Sequence, residues 1–149
     1  MPRGRLPKGE LRVLPDGSWH TDGQPVRHEA SLRYLKSRLV FEADAAFIED
    51  GGRRLRISVE GPAYVVTALE LHPERGEAVA RLDDGSSEAL SADSLAMSHR
   101  TGRIECLVRK GRARAVLSRS AHQSLLEGVV EERGEFFLVA GPRRFRIRT

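Results

Sequence analysis

The chain has 149 residues, 40% of them apolar and 31% charged, with 25 basic against 21 acidic side chains and a net charge of +4. No apolar run approaches the roughly 18 residues that a membrane-spanning helix needs, and the opening MPRGRLPKGE has no apolar signal segment, so neither a membrane span nor secretion is expected and the location is read as cytoplasmic. The single Cys106 allows no internal disulfide, and its place in the alternating run Ile104, Cys106, Val108 marks a core thiol rather than a nucleophile.

In chain order, residues 1–10 read as a basic arm containing Pro and Gly, expected to be disordered. Residues 11–14 suit a short strand. The run DGSWHTDGQPVR follows at 16–27, where Asp16-Gly17 and Asp22-Gly23 are strong turn signals on either side of Trp19, the only tryptophan. A tryptophan so placed is more often a core plug than a stacking platform, and its indole N–H requires an acceptor. Pro25 cannot donate to a ladder and marks a strand edge. Arg27 then stands at a helix entrance, where the dipole disfavours a cation.

Leu32, Leu35 and Leu39 follow at i, i+3, i+7, the spacing of a helix face. The next stretch, AFIEDGGRRLRISV at 46–59, alternates around Gly51-Gly52 and predicts a hairpin with Ile48 against Leu55 and Ala46 against Ile57 inside, and Glu49 against Arg54 outside. From Pro62 the chain becomes β-rich. A strand is predicted from Tyr64 to Leu71, a turn at His72-Pro73 and Gly76, a return strand from Ala78 to Leu82, and a turn at Asp83-Asp84-Gly85. Those two adjacent acids lack the spaced oxygen ligands of a calcium loop and read as a solvated turn, so no metal is expected. Residues 91–99 suit a helical turn. VRKGRARAVLSR at 108–119 reads as a hairpin turning at Lys110-Gly111, Ser118 as an N-cap, and Arg119 as a second cation in the first turn of a helix.

That helix carries His122, Leu125, Leu126, Val129 and Val130, and the chain closes with FFLVAGPRRFRIRT at 136–149. A constant offset of 90 lays residues 16–59 on 106–149. It matches Val26 with Val116, Leu35 with Leu125, Glu42 with Glu132, Phe47 with Phe137, Gly51 with Gly141, Arg53 with Arg143, Arg54 with Arg144, Arg56 with Arg146 and Ile57 with Ile147. Chance supplies about one match per 17 positions at average usage, so the offset reads as an internal duplication. The last hairpin pairs Leu138 with Phe145 and Phe136 with Ile147 on an apolar face, and Val139 with Arg144 and Phe137 with Arg146 on the other. The expected architecture is α+β and β-rich, two related hairpin-helix-hairpin units. The N-terminal unit occupies 11–61, and a C-terminal β-rich domain at 62–149 contains the second unit at 106–149.

A pI near 9.8 invites a nucleic-acid reading. The basic residues other than Lys8, Lys36 and Lys110 are all arginine, yet no run of five like charges occurs and aromatic residues are few. Arg112 and Arg114 project to one face of a strand, as do Arg144, Arg146 and Arg148, and such rows call for carboxylates or a bound anion. No HExxH, GxSxG, P-loop or GxGxxG motif occurs, and His20, His28, His72, His99 and His122 are scattered. No enzyme activity and no cofactor are expected.

DGSWHTDGQPVR with its leucine-rich helix, hairpin and RISVEGPAYV, together with VRKGRARAVLSRSAHQSL, resembles an uncharacterised bacterial family, domain of unknown function number 1285, over most of residues 11–149. The resemblance implies a two-part α+β structure with a duplicated core. It also implies a C-terminal part loosely similar to pleckstrin-homology folds and a binding site between the parts for a nucleotide-like ligand in signalling. Matching positions carry over Trp19, Gly23, Pro25, Arg27, Arg109, Gly111 and Arg119. The chain departs from the family pattern at Asp50-Gly51-Gly52-Arg53 and at Asp83-Asp84.

The function expected is therefore a non-enzymatic, regulatory ligand-binding module. Trp19, Arg27, Arg109 and Arg119 would form its site, with the three arginines converging on one phosphate or carboxylate, because the arginine fork suits phosphate, and with Gly23, Pro25 and Gly111 shaping the turns. A nucleic-acid-binding accessory protein using exposed arginine rows is the alternative.

Overall fold

The computed structural model describes residues 10–149. The arm expected at residues 1–10 lies, except for Glu10, outside the described residues. The chain divides between Tyr64 and Val65 into two units, each described here by itself.

In the first unit, β1 (Leu11–Val13), β2 (Trp19–Thr21) and β3 (Gln24–Pro25) form a meander, followed by helix α1 (Glu29–Ser37) and a second meander of β4 (Leu39–Glu42), β5 (Ala45–Asp50) and β6 (Arg53–Val59). The meanders join where β1 runs parallel to β6, with Arg12 opposite Ser58, giving the order β3-β2-β1-β6-β5-β4. The predicted hairpin register is observed: Ala46 faces Ile57, Ile48 faces Leu55 and Glu49 faces Arg54. Gly51 and Gly52 both have positive φ, the primed-turn geometry that matches strand twist. Leu11, Val13, Trp19, Leu35, Ile48 and Tyr64 are buried in this unit. The Tyr64 hydroxyl donates to the Lys36 carbonyl at 2.9 Å.

The second unit opens with β7 (Tyr64–His72), whose first residue belongs to the first unit, followed by β8 (Glu77–Leu82) and β9 (Ser87–Ala89). Next come β10 (Ala96–Met97), β11 (Ile104–Val108) and β12 (Ala113–Leu117), helix α2 (Arg119–Glu127), and β13 (Val129–Glu132), β14 (Glu135–Ala140) and β15 (Arg143–Arg146). One sheet has the order β10-β11-β12-β7-β8-β9, the other β13-β14-β15, and a parallel bridge joins Ala96 to Arg148. Val66, Leu82, Leu95, Val108, Leu125 and Leu138 are fully or almost fully buried here. Asp83 and Asp84 serve the chain itself: Asp83 accepts from the Val65 N–H at 2.9 Å and Asp84 from the Ser86 N–H at 2.9 Å.

The duplication is observed, and it reaches beyond the segment visible in the sequence. Helices α1 and α2, β4 and β13, and β5 and β14 coincide residue for residue at the offset of 90. So do the caps: the His28 ring accepts from the Ser31 N–H at 3.4 Å and the Ser118 hydroxyl from the Ala121 N–H at 3.1 Å. The Arg12–Ser58 parallel contact has its counterpart in Ala96–Arg148, so β1 corresponds to β10, ahead of the predicted starting point. The offset there is 84 instead of 90. Part of the change lies in the turns, Asp22-Gly23 having two residues and the β11–β12 turn, residues 109–112, four.

Two expectations are corrected. Each repeat has the predicted hairpin, helix and hairpin, and an added strand, β4 or β13, extends the second hairpin into a three-stranded meander. The helices stop at Arg38 and Gly128, whose N–H groups fold back to the Leu35 and Leu125 carbonyls, so Leu39, Val129 and Val130 open the extra strand instead of extending a helix face. The predicted cross-strand pairs of the last hairpin form, but its apolar face is only partly covered. Leu138 and Ile147 are buried, Phe145 is half-buried and Phe136 is exposed.

Candidate functional site

The outer face of β13–β15 is built by strand alternation, which sends Glu132, Glu135, Phe137, Val139, Arg144 and Arg146 to one side. The β13–β14 connection is the two-residue turn Arg133-Gly134, both at positive φ, so it holds Arg133 beside this face. Register sets Glu132 against Glu135, Phe137 against Arg146 and Val139 against Arg144. Two carboxylates facing each other repel, and each takes an arginine from β15: Arg144 pairs with Glu132, and Arg146 with Glu135 at 3.0 Å. The Arg144 guanidinium also lies 4.7 Å from the centre of the Phe137 ring, a cation-π distance. Glu132, Arg133, Glu135, Phe137, Arg144 and Arg146 together line a concavity of about 470 Å³.

The first unit holds the same device in a different electrostatic state. Arg54 lies 4.9 Å from the Phe47 ring centre, and its two terminal nitrogens donate to Glu42 at 2.7 Å and Glu49 at 2.5 Å. Hydrogen bonding and charge from Arg54 hold the Glu42 carboxyl below its usual range, and the Arg54 guanidinium is pushed up in return. In the second copy Val139 stands where Glu49 would, and Arg133 where Ala43 would. Arg144 therefore has one carboxylate where Arg54 has two, and the lining has three cations against two anions.

The residues singled out from the sequence fall elsewhere. Trp19 is buried, 2% exposed, with its Nε1 donating to the Ala63 carbonyl at 3.1 Å, so it has the place of a core plug and offers a ligand no ring face. Gly23 completes the β2–β3 turn at positive φ, Pro25 lies on the edge strand β3, and Gly111 turns the β11–β12 hairpin at positive φ. Arg27 is exposed between β3 and α1 in the first unit, and Arg119 is the exposed first residue of α2 in the second. Neither has an ion-pair partner among the described residues. Arg109 sits in the β11–β12 turn, where its backbone N–H donates to both carboxylate oxygens of Glu88 at 3.1 Å. Glu105, on the neighbouring strand β11, pairs with Arg114 at 2.7 Å.

Arg109 and Arg119 lie beyond opposite ends of β12, a strand about 17 Å long for five residues at roughly 3.3 Å each. Two of the three expected site arginines thus flank one strand of the second unit, and Arg27 belongs to the first. The row Arg144, Arg146, Arg148 was legible as alternation. The acids answering it, Glu132 and Glu135, come from neighbouring strands and could be placed only by register.

Cys106 is buried, and burial, with the nearby charges of Glu88 and Glu105, pushes its thiol up to about 12. Among the described residues no group of three or more His, Cys, Asp or Glu could hold a metal ion, and no helix is long and apolar enough to cross a membrane.

No family model and no curated protein matches the chain. Its architecture is similar to two solved structures. One is a DUF1285 family protein from Silicibacter pomeroyi DSS-3, with TM-score 0.72, 22% identity and coverage of 95% of this chain and 82% of that one. The other is a DUF1285 family protein from Shewanella baltica OS155, with TM-score 0.60, 12% identity and coverage of 80% of this chain and 92% of that one. Two duplicated strand-rich units and these likenesses lead to one statement: the chain has the fold of the DUF1285 family proteins.

Proposed function

We propose that the protein is a non-enzymatic, regulatory ligand-binding module, and that its site is the concavity on the outer face of β13–β15, which takes a nucleotide-like anionic small molecule. The observation that carries this reading is the charge difference between the copies. The first unit clamps Arg54 between Glu42 and Glu49, whereas the second replaces one acid with Val139 and adds Arg133 beside Arg144 and Arg146. Glu132 and Glu135 hold the two β15 guanidinium groups in place, and a pre-ordered fork loses less entropy on engaging phosphate than a mobile one. The Phe137 ring supplies an apolar wall for a base or other planar group. Binding along exposed arginine rows by nucleic acid has less support, because Arg54, Arg114, Arg144 and Arg146 each meet a glutamate.

Calorimetric titration of the purified protein with a panel of nucleotides tests the proposal, with Arg144→Ala as the disabling variant and Arg54→Ala as its twin control. Loss of a charge-assisted hydrogen bond, about 1.5–3 kcal/mol, weakens binding by roughly tenfold or more in Arg144→Ala and leaves it unchanged in Arg54→Ala. Equal effects of the two substitutions, or no binding to the unaltered protein, overturn the site.

A further inference from the structure

We propose that the concavity on β13–β15 accepts a single negative charge, carried by a phosphodiester rather than a terminal phosphate, and that Arg133 is the residue that reads it. The inference rests on the reading of this face as the ligand site and adds the ionic class of the ligand. Of the cations that line the concavity, Arg144 and Arg146 are each balanced by a glutamate, Glu132 and Glu135. Arg133 has no ion-pair partner among the described residues, so three cations less two acids leave the lining a surplus of one positive charge. A second negative charge on the ligand would stand beside Glu132 and Glu135, which already face each other across β13 and β14, and like charges so placed repel. The hydrogen-bonding capacity is not used up with the charge. Arg144 and Arg146 each meet their glutamate through Nη2, and an arginine has several further N–H donors in its planar fork. Those donors are left to hold the unesterified oxygens of a diester while adding no net charge.

The backbone at Arg133 favours a different residue. The turn Arg133-Gly134 has φ of 54° and 80°, a geometry that suits Asn-Gly, and an arginine in the left-handed region costs more stability than an asparagine. The sister face in the first unit supplies the contrast. There Ala43 and Asp44 form the turn, Ala45 stands where Glu135 would, and Arg54 and Arg56 share a face with Glu42 and Glu49. Two cations meet two acids on that face, and no surplus remains for an anion.

Calorimetric titration with a charge series tests the inference. For each common base it compares the nucleoside, the cyclic monophosphate with one charge, the monophosphate with about two above its second pKa of about 6, and the triphosphate. The cyclic diester of one base binds tightest, and each step to monophosphate and triphosphate weakens binding by roughly tenfold. Arg133→Asn keeps the turn, melts no lower than the unaltered protein and weakens the cyclic diester roughly tenfold or more. Glu135→Gln frees Arg146, raises the surplus and moves the preference to the monophosphate. Glycerophosphoglycerol, a singly charged diester without a planar group, separates two sources of the same chemistry: it binds more weakly than the cyclic diester where the ligand is a nucleotide, and equally where it is a lipid headgroup. Binding that tightens with every added charge overturns the single-charge inference and leaves the site in place. So does an Arg133→Asn variant that binds unchanged, or a Glu135→Gln variant with the original preference. No binding by any member of the series overturns the site and the inference together.

Discussion

His28 and Ser118 hold the same cap position in two helices of one plan. The imidazole accepts from the third helical N–H at 3.4 Å, and the hydroxyl does so at 3.1 Å while also donating to the Thr67 carbonyl at 3.2 Å. The shorter contact and the second bond make Ser118 the stronger cap. Ser118→Ala is expected to cost about 1–2 kcal/mol, the upper part of the range for losing an N-cap, and His28→Ala less than about 1 kcal/mol. Denaturant melts of the two variants check the order.

Gly51 and Gly141 open the equivalent turns at φ 55° and 60°, yet their surroundings differ. A Cβ at Gly51 meets nothing within 4 Å, whereas one at Gly141 falls 2.3 Å from the Pro73 carbonyl oxygen. Gly51→Ala therefore costs only the left-handed backbone, about 1–2 kcal/mol. Gly141→Ala adds a backbone clash and is expected to lose about 4 kcal/mol or more. Similar melting temperatures for the two variants would contradict this.

The Arg54–Glu42 pair predicts a pH dependence with a definite sign. Because the folded-state carboxyl of Glu42 lies below its ordinary 4.5, its contribution to stability is present above that pH and is lost as pH falls through the lowered value. In Arg54→Ala the Glu42 titration moves back up toward 4.5, and the stability difference between the variant and the unaltered protein narrows under acid. Carboxyl chemical shifts followed through the titration report both effects.

Leu138 and Phe145 face each other across the last hairpin, and only Leu138 is fully buried. Leu138→Ala is expected to cost about 2–5 kcal/mol. Phe145 keeps a solvent-facing side, under the guanidinium of Arg143 at 5.1 Å, so Phe145→Ala should fall below the roughly 3–5 kcal/mol of a fully buried phenylalanine. A larger loss at Phe145 than at Leu138 would show that the tail carries more of the core than its exposure suggests.

Local chemistry by itself determined much of this protein. Glycine turns and two-residue alternation set the hairpin registers, the leucine spacing located the helices, and repeated Gly, Arg and Ile positions exposed the duplication. These signals survive without tertiary context because each acts over a few neighbouring residues. The helix ends did not survive in that way. Leu39, Val129 and Val130 keep the helical spacing, and only the folded C-caps and the β14 ladder assign them to strands. The link between β1 and β10 was hidden because loop lengths shift the alignment while parallel pairing preserves the place in the sheet. Exposure of Phe136 was likewise decided by tertiary structure. Which face a side chain presents is local, but whether anything covers that face, and which distant acid meets a given arginine, depends on strands brought together from far along the chain.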